Sequence, residues 1–125
     1  MKQTDKKRIL VVEDDPHIAE GLKLNLNLQG YETAIANSGT EGLRIWKEWN
    51  PNLVVLDIMM PHLNGYDVCR TIKQDPVLKS IPIILLTSRG KEVDPRLLEL
   101  MGIEYLHKTA RPQELLAMLE KTLGH

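Results

Sequence analysis

Apolar residues in this chain gather in short, nearly unbroken runs, separated by stretches where they recur every three or four positions. Arg8 to Val12 (RILVV), Leu53 to Leu56 (LVVL) and Ile81 to Leu86 (IPIILL) are runs of the first kind. Such runs suit strands buried on both faces, as in a parallel sheet. Tyr31 to Ala36 is half polar and is expected at a sheet edge, and Glu104 to His107 reads as a short fifth strand. Ile18, Leu22 and Leu26 form a stripe along a first helix, with Asp15 as N-cap, Pro16 in the first turn and Gly30 closing it. The turn Asn37-Ser38-Gly39 leads into a second helix over about Thr40 to Trp49, with Leu43 and Trp46 inward, stopped by Asn50-Pro51. Asn64-Gly65 opens a third helix with Val68 and Ile72 inward and Cys69 beside them, and Asp75-Pro76 closes it. Asp94-Pro95 begins a short fourth helix ending at Gly102. Pro112 opens a fifth, carrying Leu115, Leu116 and Leu119 to about Leu123.

Five alternations of strand and helix with short connections predict an α/β fold with helices on both faces of a parallel sheet. The reading is a doubly wound (βα)5, flavodoxin-like three-layer sandwich with strand order 2-1-3-4-5. Helices one and five are expected on one face, and two, three and four on the other. An eight-fold barrel needs a chain about twice as long. The 125 residues are read as one domain, residues 1–125, with a packed core over about 8–123 and an N-terminal arm over 1–7.

Composition narrows the function classes. The net charge is -1, and the basic cluster Lys2, Lys6, Lys7 and Arg8 reads as a solvated arm, so no direct nucleic-acid partner is expected. No apolar stretch approaches the ~18 residues of a membrane span, and the polar N-terminus does not resemble a signal peptide. The lone Cys69 forms no internal disulfide and reads as a small core residue. A cytoplasmic protein without membrane partners is expected.

The candidate chemistry lies at the strand ends. In a parallel sheet all C-terminal strand ends share one edge, and ligands bind there at the switch point between strands one and three. This chain puts Glu13 and Asp14 after strand one, Asp57 at the end of strand three, Thr87 after strand four and Lys108 after strand five. Singly, each has an ordinary explanation as a cap, a turn former or a solvated charge. Together they set three acids, a hydroxyl and an ammonium around one crevice. Carboxylates so close repel, and a hard divalent cation such as Mg²⁺ relieves the repulsion. One carboxylate is then available as a nucleophile toward phosphorus, with Lys108 as a second positive contact and Thr87 as a donor to the arriving phosphoryl group.

At ILVVEDDP, LVVLDIMMPHLNG, PIILLTSRG and GIEYLHK the chain resembles the receiver domain of two-component response regulators, over essentially Arg8 to Leu123. The resemblance implies Asp57 as phospho-acceptor, and Asp14, Glu13 and Asp57 itself as Mg²⁺ ligands, Glu13 through water. It implies the backbone carbonyl of Met59 as a further metal ligand, Lys108 as the partner of Asp57 or its phosphate, and Thr87 and Tyr105 as switch residues. The implied donor is a phosphohistidine on a sensor histidine kinase or phosphotransfer protein. The implied output is a downstream effector or a homodimer formed through the surface of helix four, strand five and helix five. The implied protein is a signalling phospho-acceptor with self-phosphorylation and autodephosphorylation, not an enzyme. Three departures stand out. Met59 and Arg89 flank the reaction centre, where an apolar side chain and a long cation imply a longer-lived phosphoryl group. Lys108 is followed by Thr109-Ala110 where the family usually carries proline, and Asp94-Pro95 shortens helix four. The alternative is a non-phosphorylated interaction module of the same fold, which predicts missing acids or lysine.

Overall fold

A computed structural model describes residues 6–57, 70–71, 73–76, 79–87, 96, 99, 103–107 and 111–124, with the backbone alone for Thr87. β1 (Arg8–Val12), β2 (Glu32–Ala36), β3 (Leu53–Asp57), β4 (Ile83–Thr87) and β5 (Glu104–His107) form one parallel sheet in the order β2-β1-β3-β4-β5. The half-polar β2 lies at an edge, as its composition predicts. Around the sheet run α1 (Pro16–Leu28), α2 (Gly39–Trp49) and a C-terminal helix (Pro112–Leu123). Residues 70–71, 73–74, 96 and 99 are helical and fall within the expected third and fourth helices. The readings of Val68, Cys69, Ile72 and Asp94-Pro95 lie outside the described residues.

Side chains alternate along each strand, so a sheet covered on both faces has two cores. Leu10, Val12, Val54, Leu56, Ile83 and Leu85 point to the α2 side, where Trp46 and Leu43 meet them. Ile9, Val11, Leu53, Val55, Ile84 and Leu86 point the other way, onto Leu22 and Leu26 of α1 and Leu115 and Leu119 of the C-terminal helix. This is why the strands read as continuous apolar runs. Burying each such side chain contributes about 1.5–3 kcal/mol. The first and last helices thus share one face and α2 takes the other, as expected. Among the described residues no helix is long and apolar enough to cross a membrane.

Several element ends differ from the sequence reading. β4 begins at Ile83, not Ile81. Pro82 has no N–H for the ladder and contributes only its carbonyl, which accepts from Val54 N at 3.1 Å. β2 begins at Glu32, because Tyr31 turns back to donate its N–H to Leu26 O at 3.1 Å and buries its ring. Ser38 is the N-cap of α2 as well as a turn residue: its Oγ accepts from Glu41 N at 3.1 Å, while Glu41 Oε1 accepts from Asn37 N at 3.0 Å. Arg8 stays exposed, as read for the solvated basic cluster, but it is also anchored. Its guanidinium donates to Trp49 O at 2.8 Å and lies 5.6 Å from the Trp49 ring centroid, and its N–H donates to Asn52 Oδ1 at 2.7 Å.

One close approach bears on the site. A Cβ on Gly42 of α2 would meet Val12 Cγ2 at 3.0 Å and Cγ1 at 3.2 Å. Val12 is buried in the sheet and immediately precedes Glu13, so it has little room to yield. Gly42→Ala gains about 0.5–1 kcal/mol of helix propensity but incurs overpacking of about 1–3 kcal/mol. A net loss of about 1 kcal/mol is expected in urea unfolding. Combining it with Val12→Ala should leave a smaller loss than the sum of the two single changes.

Candidate functional site

The sheet register assembles the site. Val12 pairs with Leu56, so the next residues, Glu13 and Asp57, stand side by side at the C-terminal edge. Glu13 N donates to Ala36 O at 2.9 Å, carrying the strand hydrogen bonding one residue past β1 and fixing where its side chain begins. Asp57 pairs with Leu86, which puts Thr87 one step further along the same edge. Thr87 in turn pairs with His107. Lys108, Met59 and Arg89, and the side chain of Thr87, lie outside the described residues.

One carboxylate oxygen from each of Glu13, Asp14 and Asp57 lies within 4.8 Å of the others. Glu13 and Asp57 are each only 1% exposed, whereas Asp14 faces solvent. Two like charges at such a separation repel by on the order of 3 kcal/mol at an effective dielectric near 20. All three donors are hard oxygens, and the exposed Asp14 leaves a route from solvent. A small divalent cation that keeps part of its water shell fits this donor set.

Local structure orients the acids. Asp15 caps α1: its Oδ1 accepts from His17 N at 2.9 Å and Ile18 N at 3.4 Å. Its own N–H donates to Glu13 Oε2 at 3.1 Å. The cap is legible in the sequence; the amide contact to Glu13 is not, since it depends on the backbone angles Asp15 adopts (φ -83, ψ 113).

Three other features stand apart from the acids. Tyr105 lies within β5, paired with Leu85 and 39% exposed, in an outward position. The Tyr31 phenol, at the opposite edge of the sheet, is pushed above its ordinary pKa by burial and secondarily by Glu120. A cavity of about 70 Å³ between α1 and the C-terminal helix is lined by Leu22, Leu26, Leu86, Leu106 and Leu115. Among the described residues its walls are mostly apolar and hold no carboxylate, so it is not where the acid chemistry sits.

The family model for the response regulator receiver domain matches residues 9–120. The chain belongs to this family. Among curated relatives, the receiver is similar to the DNA-binding response regulator MtrA of Mycobacterium tuberculosis, 40% identical over 121 residues, covering 96% of this chain and 52% of MtrA. It is likewise similar to the probable transcriptional regulator ycf27 of Cyanophora paradoxa, 42% identical over 122 residues, covering 97% of this chain and 50% of the relative. The receiver thus spans about half the length of the curated relatives it matches. Among solved structures it is similar to the response regulator TrrA of Thermotoga maritima in complex with Mg²⁺-BeF. The TM-score is 0.82 and the identity 38%, over 93% of this chain and 98% of TrrA.

These names correct one expectation. The sequence reading set nucleic acid aside, yet MtrA is named a DNA-binding response regulator. The net charge of -1 belongs to 125 residues that match about half of such a relative, and it has no bearing on the relative's other half. MtrA and TrrA are also named response regulators, not unphosphorylated interaction modules.

Proposed function

We propose that this receiver accepts a phosphoryl group on Asp57 from a phosphohistidine of a sensor histidine kinase or phosphotransfer protein. The observation that carries the reading is the meeting of Glu13, Asp14 and Asp57 carboxylate oxygens within 4.8 Å at the C-terminal edge of the sheet. A carboxylate oxygen of Asp57 forms the new O–P bond as the P–N bond to imidazole breaks. The bonding pair of the P–N bond leaves with the imidazole nitrogen. Glu13 and Asp14 hold Mg²⁺, with the Met59 carbonyl as a further ligand. Bound there, Mg²⁺ offsets the negative charge of the carboxylates and of the transferring oxygens. Lys108 pairs with Asp57 or its phosphate, and the Thr87 hydroxyl donates to the phosphoryl group once it has arrived. The burial of Asp57 favours transfer by excluding competing water.

Switching follows from differential contacts. A phosphoryl group on Asp57 draws Thr87 toward it, and Tyr105 moves inward from its exposed position. The surface around β5 and its flanking helices changes with it. In a protein as long as the relatives named for DNA binding or transcriptional regulation, the output governed by this switch is DNA binding. The chain acts as one receiver unit in the cytoplasm. A crystal structure with Mg²⁺ and beryllofluoride tests this reading. The expected result is a beryllofluoride group bonded through beryllium to an Asp57 carboxylate oxygen, and a buried Tyr105. A mimic seated elsewhere, or a Tyr105 still outward with the mimic bound, contradicts it.

A further inference from the structure

The acid run at the end of β1 has three members, and the proposed chemistry uses only Glu13 and Asp14. Asp15 stands third, and its contacts run in two directions. Its carboxylate turns away from the acids, accepting from His17 N at 2.9 Å and Ile18 N at 3.4 Å, while its carbonyl accepts from Ala19 N at 2.9 Å. These three bonds fix Asp15 to the first turn of α1. Its N–H points back and donates to Glu13 Oε2 at 3.1 Å. The buried Glu13 carboxylate is thereby tied to α1 through one backbone amide.

We infer that Asp15 is a positioning residue of the metal site: its cap holds the amide that aims Glu13 toward Asp14 and Asp57. This rests on the reading of the acid cluster as a Mg²⁺ site. Asp15 touches neither metal nor phosphate in this role, and what it contributes is acceptor geometry, not charge. Asn serves as an N-cap about as well as Asp, so Asp15→Asn keeps the cap and Asp15→Ala loses it. Groups that orient metal ligands from outside typically alter affinity by about 10–100-fold. The coupling is reciprocal: if the cap favours metal, metal favours the cap.

Mg²⁺ titration by calorimetry on the full chain separates this from a general stability effect. Asp15→Ala is expected to weaken Mg²⁺ binding about tenfold, and Asp15→Asn to stay within about twofold of wild type. Ser38→Ala serves as the control. It removes the corresponding cap of α2, where Ser38 Oγ accepts from Glu41 N at 3.1 Å, and it should lower stability while leaving Mg²⁺ affinity unchanged. In wild type, Mg²⁺ should also slow hydrogen exchange at the His17 and Ile18 amides but not at Glu41. Unchanged affinity in Asp15→Ala, equal weakening in Ser38→Ala, or failure of Asp15→Asn to bind like wild type overturns this inference alone. A wild-type protein that binds no Mg²⁺ overturns the metal reading and this inference with it.

Discussion

Asp57→Ala is expected to gain no phosphoryl mass when incubated with acetyl phosphate and Mg²⁺, under conditions where the wild-type chain gains one group. The expectation rests on position. Glu13 is as deeply buried as Asp57, but its Oε2 is held by the Asp15 amide, and the proposed reaction gives it the metal. Asp14 is exposed, where water competes for any acyl phosphate. Only Asp57 is both buried and carried on the last residue of the central strand β3, between β1 and β4. Losing a reaction's nucleophile costs orders of magnitude in rate, so the contrast should be all or none in intact-mass spectra. Thermal melts should show the variant folded, because the neighbouring core residues Leu53 to Leu56 are unchanged. A variant that is folded and still labels at the wild-type rate would place the acceptor elsewhere.

The second large effect concerns the metal. Mg²⁺ that binds the folded acids and not the unfolded chain stabilises by mass action, about 2.7 kcal/mol at a hundred times its dissociation constant. For a domain of this size that raises Tm by roughly 10 °C. The direction is set by repulsion among the three carboxylates, which the cation relieves. A chelator should return Tm to the metal-free value. Asp14→Ala should abolish the rise and itself raise the metal-free Tm, since it removes one of the repelling carboxylates and, Asp14 being exposed, opens no cavity. Acetyl phosphate labelling should fall in parallel. A wild-type Tm indifferent to Mg²⁺, or an Asp14→Ala protein that responds as wild type does, would count against the site.

Much of this was legible in the residues because the periodicities were clean. Unbroken apolar runs can be satisfied only where both sheet faces are covered, and the two cores around Trp46 and Leu26 bear that out. Once the sheet is parallel, geometry brings Glu13, Asp14 and Asp57 to one edge whatever the helices do in detail. What the sequence did not disclose depends on local backbone angles and on contacts between distant elements. The Asp15 amide reaching back to Glu13 is of the first kind, and Arg8 donating to Trp49 O is of the second. Strand ends shifted where a single backbone group decided them, as with the missing N–H of Pro82 before β4. The DNA binding for which MtrA is named was illegible for a different reason: this chain covers 52% of MtrA, and composition describes only the residues present.

The most direct measurement is reductive trapping. An aspartyl phosphate is a mixed anhydride, and borohydride converts it to homoserine at the residue that carried it. After labelling with acetyl phosphate, reduction and proteolysis, mass spectrometry of the peptide containing Asp57 should show homoserine at that position. The product should depend on Mg²⁺ and be missing when a chelator is present. Hydroxynorvaline at position 13 or homoserine at position 14 instead, or no reduced residue anywhere from protein that has demonstrably taken up phosphate, would contradict the account.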